Sequence, residues 1–302
     1  MSIYVEILVR APMDTRWAHT QTPQLHERWD LRFTKIDCIP RADDSSPQRF
    51  RYATRIGFGF EIAGEGETDG HRRLPDGGAM SALKFSSDAP LSIIRDGGGY
   101  WRYVPTRDGV RFLTRYDYRS RFGASGALFD RLVFRPLIGW ATAWSFDRLR
   151  LWVEDHVDPR MAVRQTAIHV AARTALAIVF AYQGLVPKLL TRHVDEIALL
   201  AAAGVPARLT TGAVTALGFA ELALAAALFA GWSRAWPAWV CLVAMPIATL
   251  AVAISSPSFF AAAFNPFALN VAVAAIASID LFVIGSVPSA ARCRRRPAME
   301  TR

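Results

Sequence analysis

Apolar and polar residues alternate at the start of the chain. In IYVEILVR, Ile3, Val5, Ile7 and Val9 fall on one face, a two-residue period that predicts a half-buried strand. APMDTRWAHT and PQLHERW follow, each with proline near its start, as suits short helices. Five strand-like stretches come next: LRFTKIDCI, RFRYATRIGFGFEIAGEGE, SALKFSS, SIIRDGGGYWRYVP and GVRFLTRYDYRSR. Val110, Phe112, Thr114, Tyr116 and Tyr118 share one face of the last. The connections RDGG, TRDG and PDGG carry the Asp-Gly hairpin signal. The period then lengthens in SGALFDRLVFRPLIGWATAWSFDRLRLWVED, where Leu128, Leu132, Trp140, Trp144, Leu151 and Trp152 recur at helical spacings. Arg131, Arg135, Asp147, Arg148 and Arg150 crowd the other faces, and Pro136 is expected to kink or break the helix. Meandering antiparallel strands closed by one long helix predict an α+β domain over residues 1–157.

Beyond residue 160 the polar stripes vanish. Apolar spans run over about residues 167–187, 211–231, 235–255 and 263–285, and residues 235–279 hold no charge at all. Each span is near the ~20 residues a helix needs to cross the hydrocarbon. In lipid the backbone must satisfy its own polar groups, so helices are the expected form and the fold class is an α+β domain followed by an all-α four-helix transmembrane bundle. Residues 158–166 read as a linker, with Asp158-Pro159 breaking the preceding helix. Residues 288–302 read as a basic tail. Gly184 and Pro187 close the first span. Lys188, one of three Lys beside 32 Arg, is expected to snorkel to the outer headgroups. VDEIALLAAAGVP then predicts a short amphipathic helix with Asp195 and Glu196 in its first turn, where the helix dipole favours anions.

Charge orients the bundle. Residues 1–159 carry 23 Lys or Arg against 21 Asp or Glu, whereas residues 160–302 carry 12 against 5. The surplus lies beside the spans and in the tail RCRRR, where the positive-inside rule places it, and nucleic acid is excluded as a partner on that ground. Arg148, Arg150, Arg160, Arg164, Arg234 and the tail fall on one side; Lys188, Arg192 and Arg208, diluted by Asp195 and Glu196, fall on the other. Four spans return the chain to its starting side, so both termini are expected in the cytoplasm. The start MSIYVEILVRAPMD has no basic region ahead of a long apolar core, so no signal peptide is expected. Cys38, Cys241 and Cys293 show no metal-ligand spacing and no disulfide framework.

The order of strand, two short helices, six strands and long helix resembles the SRPBCC superfamily, the START-like helix-grip fold, over residues 1–155. The phrases PMDTRW (residues 12–17), GFEIAGEGE, SIIRDGGGYWRY, TRYDYRSRFG and TAWSFDRLRLW add to the likeness. The resemblance implies a curved sheet round a long helix and an apolar cavity between them; it does not imply an enzyme, since such folds host carriers, cyclases and regulators. Residues 167–285 resemble the DoxX-like family of bacterial four-helix membrane proteins. GLVPKL (residues 184–189), the GxxE of span two (Gly218, Glu221) and the NPxxxN of span four (Asn265, Asn270) carry that likeness. Members of that family are often linked to thiol or quinone redox chemistry. Cys241 stands alone within span three, so the chain lacks the Cys pair a thiol role would use.

Cavity candidates are the aromatics expected to point inward: Phe58, Phe60, Phe85, Trp101, Tyr103, Phe112, Tyr116, Trp140 and Trp144. His19, His26, His71 and His156 show no HxxxH or HExxH pairing, and Asp117, Glu61 and Glu65 are expected to pair with strand arginines. Gly97-Gly98-Gly99 lacks a following P-loop Lys-Ser/Thr and reads as a bulge or turn. Within the spans the polar candidates are Gln183, Lys188, Glu221, Asn265, Asn270, Arg173 and Asp280, each costly in hydrocarbon and so worth a role. Arg173 is expected to pair with Asp280, and Glu221 to form a polar focus with Asn270 and Gln183; glue between helices is the competing role. No cofactor or metal is predicted; a quinone is one ligand the chemistry allows. The expected partners are the lipid bilayer and an apolar small molecule, with a homo-oligomer left open. The favoured function is non-catalytic binding, sensing or hand-over of that molecule at the bacterial inner membrane. A redox or SRPBCC-type enzyme and transport through the bundle are the alternatives.

Overall fold

The computed structural model describes the chain except Met1, Ala42, Asp44, Ser45, Phe58, Asp76, Phe264 and residues 298–302, together with the side chains of Asp69 and His71. Two compact units emerge: residues 1–162 with 288–302, and residues 163–287.

The first unit begins with β1 (Ile3–Val9), α1 (Met13–Gln21) and α2 (Pro23–Trp29). Six strands follow: β2 (Lys35–Cys38), β3 (Gln48–Gly57), β4 (Phe60–Arg73), β5 (Ala79–Ser86), β6 (Ile94–Thr106) and β7 (Gly109–Ser120). All pair antiparallel in one sheet of order β1-β7-β6-β5-β4-β3-β2. The chain then forms α3 (Gly123–Phe129), a π-helical turn (Asp130–Phe134) and the long α4 (Arg135–Asp155). This is the helix-grip arrangement. Its core is fully buried where α4 meets β1 and β7: Val5, Val9, Phe112, Ala143, Phe146 and Leu149 share one cluster with Trp29 of α2.

The register explains the sheet's inner surface. Phe50, Gly66, Phe85, Gly97 and Tyr118 are successive partners across β3 to β7. A β-carbon on Gly97 would come within 2.7 Å of the Phe85 ring, and one on Gly66 would strike the Phe50 ring. The glycines therefore let aromatic rings lie flat across neighbouring strands, which favours curvature over a flat sheet. Gly97-Gly98-Gly99 is accordingly strand, not turn: all three lie inside β6, and the register shift falls earlier, between Ile94 and Asp96.

Pro136 does not break the helix. Its missing N–H removes a rung of the ladder, and the ladder has already widened ahead of it, with the Arg135 N–H bonding to the Asp130 carbonyl. The apolar stripe read from sequence is partly misplaced: Leu128, Leu132 and Trp140 are exposed, while Ala143, Phe146 and Leu149 face the core. Asp147 is also fully buried. It accepts from Arg150 at 2.7 Å, from the Ser289 N–H at 2.7 Å and from Arg292 at 3.0 Å. The last part of the chain thus folds onto this unit, and Glu6 and Arg294 exchange backbone hydrogen bonds of 2.9 Å, covering part of the free edge of β1. Asp117, Glu61 and Glu65 meet Arg135, Arg55 and Arg49. Residues 159–166 are helical rather than linker: Pro159 opens α5 (Pro159–Gln183), where its fixed φ suits the first turn.

In the second unit α5 continues into a π-helical turn (Gly184–Leu190), followed by α6 (Val194–Ala202), α7 (Ala207–Ala230), α8 (Trp236–Ser255) and α9 (Pro266–Val283). Among the described residues, four helices are long and apolar enough to cross a membrane: Pro159–Leu190, Ala207–Ala230, Trp236–Ser255 and Pro266–Ser286. Leu176, Phe180, Leu228, Cys241, Val273 and Ala277 pack their interior. Ile178, Phe219, Ile247, Ile254 and Phe282 point outward and are more than half exposed, an apolar surface of the kind that meets lipid.

Candidate functional sites

The first unit holds an apolar cavity of about 250 Å³ between the sheet and the helical segment that grips it. Phe50, Tyr52, Leu83, Phe85, Trp101 and Tyr116 supply its sheet wall, and Phe134, Leu137 and Ile138 its helical wall. Period-two alternation aims the strand residues inward. Of the nine aromatics expected there, Phe85, Trp101 and Tyr116 line it. Tyr103, Phe112 and Trp144 are buried in the core instead: Phe112 stacks on Phe146 at 4.4 Å and on Tyr103 at 4.9 Å. Phe60 and Trp140 are exposed, because Phe60 is the first residue of β4 and Trp140 falls on the outer face of α4. Phe58 lies outside the described residues. The glycines opposite Phe50 and Tyr52 were the signal that could have found those two wall residues.

Arg32 also lines this cavity, and nothing in the strand pattern announced it. Its Nε and Nη2 donate to Asp30 at 2.9 and 2.6 Å. His26 Nε2 meets the same carboxylate at 3.0 Å. Burial alone would raise the Asp30 carboxyl, but Arg32 and His26 together hold it well below the usual carboxylate range. Burial would likewise lower Arg32, and Asp30 reverses this. Its guanidinium lies 5.5 Å from the Phe33 ring centre and 5.7 Å from that of Tyr116. His26, unpaired in the sequence reading, is therefore one end of a buried relay. It lines a second cavity of about 120 Å³ with Gln21, Thr68 and Ser81.

In the second unit Arg173 and Asp280 meet at 2.7 Å, both fully buried, as their depths in the sequence place them. The structure adds His169, whose Nδ1 is 2.5 Å from the second Asp280 oxygen and whose Nε2 is 3.0 Å from the Trp232 carbonyl. Arg173 further donates to the carbonyls of Leu228, Gly231 and Arg234. The cluster thus fixes α9 to α5 and satisfies carbonyls left open where α7 ends.

The second cluster differs from its expectation. Lys188 does not reach outward: it is 5 % exposed and lies 3.1 Å from Glu221 and 3.2 Å from Glu196. Gly184 and Gly218 make this geometry, since a β-carbon on Gly184 would come within 2.6 Å of the Gly218 carbonyl. That close backbone approach brings Lys188, four residues past Gly184, to Glu221, three past Gly218. Asn270 stays apart from it, and Gln183 meets it through its backbone carbonyl. The Asn270 amide donates to Thr249 at 3.0 Å, and Gln183 contributes its backbone carbonyl to Lys188 at 3.4 Å. Asn265 caps α9, accepting from the Ala268 N–H. Among the described residues no cluster of three or more His, Cys, Asp or Glu has the form of a metal site.

Comparison with known proteins matches residues 177–278 to the model of the DoxX-like family. Over 183 residues, 60% of this chain and 68% of its relative, the chain is 46% identical to an uncharacterized membrane protein, YndG, of Bacillus subtilis strain 168. About half of the chain resembles solved structures. TTHA0849 of Thermus thermophilus covers 51% of this chain and 99% of its own, with TM-score 0.38 and 14% identity. The ZhuI aromatase/cyclase of Streptomyces sp. R1128 covers 51% and 96%, with TM-score 0.38 and 14% identity. A STAR-related lipid transfer protein fragment from Xanthomonas axonopodis covers 50% and 85%, with TM-score 0.39 and 16% identity. The helix-grip assignment rests on the strand order and the closing helix. The chain is a membrane protein that joins a helix-grip domain to a DoxX-like domain of four apolar helices, and it belongs to the family of Bacillus subtilis YndG.

Proposed function

We propose that the protein binds a lipophilic small molecule in the helix-grip cavity and keeps that cavity at the membrane for sensing or hand-over. The observation that carries this reading is the apolar space of about 250 Å³ in a domain continuous in sequence with four membrane helices. Aromatic and aliphatic walls with few polar groups suit an apolar ligand. The Lys/Arg distribution supports an inner-membrane placement with both termini and the helix-grip domain in the cytoplasm. The DoxX-like unit acts as the tether, its two buried ion clusters holding the helices in register.

Mass spectrometry of small molecules released by denaturing the purified full-length protein tests the reading. Wild type is expected to release a defined apolar species, reduced at least about tenfold in Leu83→Trp, which fills space at the cavity wall. Bulk lipid is expected to be equal in both. An identical profile from the two proteins would sink the proposal.

A further inference from the structure

We infer that the ligand is an uncharged hydroxyl compound, an alcohol or phenol, with its apolar body in the larger cavity and its hydroxyl donating to Nδ1 of His26 in the smaller one. This rests on the cavity reading above and narrows it to a chemical class. The two cavities share Phe33, Phe50, Leu83 and Trp101 as wall residues, so one molecule can face both. Together they reach the lower end of the ~300–1,000 Å³ typical of small-molecule sites.

The smaller cavity is built for a polar group. His26 is positioned by α2, stacked on Trp29 at 4.9 Å and set edge-on to Trp101 at 5.0 Å. Its Nε2 faces the Asp30 carboxylate at 3.0 Å, an acceptor, so in the neutral ring the proton belongs on Nε2. Nδ1 is then a lone-pair acceptor. The Ser81 hydroxyl is buried at the same cavity. It can donate to the oxygen whose proton goes to His26.

Charge decides against other headgroups. Arg32 is the cation lining these cavities among the described residues, and it is committed to Asp30 through both Nε and Nη2. A carboxylate or phosphate entering here would lose its hydration without a free counter-charge. A pure hydrocarbon, or a quinone with acceptors alone, would leave Nδ1 unpaired. A neutral donor suits both the apolar walls and the histidine.

The test uses full-length protein in detergent and equilibrium dialysis of naphthalene, 1-naphthol and 1-naphthoate against protein-free micelles. The expected order is 1-naphthol about fivefold tighter than naphthalene, the gain of one net hydrogen bond, with 1-naphthoate weakest. His26→Phe is expected to erase the 1-naphthol advantage and leave naphthalene within about twofold; Ser81→Ala is expected to remove part of it. Should His26→Phe fail to fold, the wild-type order and Ser81→Ala decide. Naphthalene binding as well as 1-naphthol, or 1-naphthoate binding best, overturns the inference while the cavity reading stands. Binding of none of the three above the micelle blank overturns the cavity reading itself.

Discussion

Asp280→Ala is expected to cost about 3–5 kcal/mol of stability in detergent, because it removes one side of a buried pair and strands the other. Asp280 is fully buried and accepts from both Arg173 and His169. Without it, two donors in an apolar interior face no carboxylate. Arg173→Ala loses the same pair and, in addition, three hydrogen bonds to carbonyls in the last turn of α7 and just beyond it. The double variant Arg173→Met/Asp280→Leu is expected to recover part of the loss, since apolar replacement of a whole buried pair is often neutral. Unfolding titrations of the four proteins check this. Single variants as stable as wild type, or a double variant whose loss equals the sum of the singles, would show that the contact does not hold the helices.

Phe112→Ala is expected to cost about 3–5 kcal/mol, the usual loss for emptying a packed aromatic site. The ring is fully buried between Tyr103 and Phe146, with Arg16 5.5 Å from its centre. Phe85→Ala, by contrast, removes a ring that already faces open space. It is expected to cost less and to enlarge the cavity. Thermal unfolding of the two variants in the same detergent separates them. Equal losses would contradict the division of these two rings between cavity wall and core.

The contrast between those two phenylalanines marks what a sequence can carry. Both lie at inward positions of strands, and period-two alternation says which face a residue takes. It does not say where along that face the helix presses down and where it stands away. The helix-grip order and the four apolar helices were legible because each rests on local periodicity and length. The Arg173–Asp280 pair was legible because helix rise converts position into depth. His169 escaped because a histidine four residues before Arg173 carries no distinguishing pattern of its own. Lys188 was read as a snorkelling residue because the consequence of Gly184 and Gly218 appears only when their helices cross. The His26–Asp30–Arg32 relay straddles the end of α2, where helical spacing gives way to extended chain, so no single period describes it. The fold of residues 289–294 onto Asp147 joins positions more than 140 residues apart, beyond the reach of any local signal.

Photolabelling with a diazirine derivative of naphthalene, followed by peptide mapping of the full-length protein, tests the central claim most directly. The account predicts labels on the strands that wall the cavity, around Phe50, Leu83 and Trp101, suppressed by excess unlabelled naphthalene. Labels confined to α5, α7, α8 and α9, with the strands untouched, would contradict it.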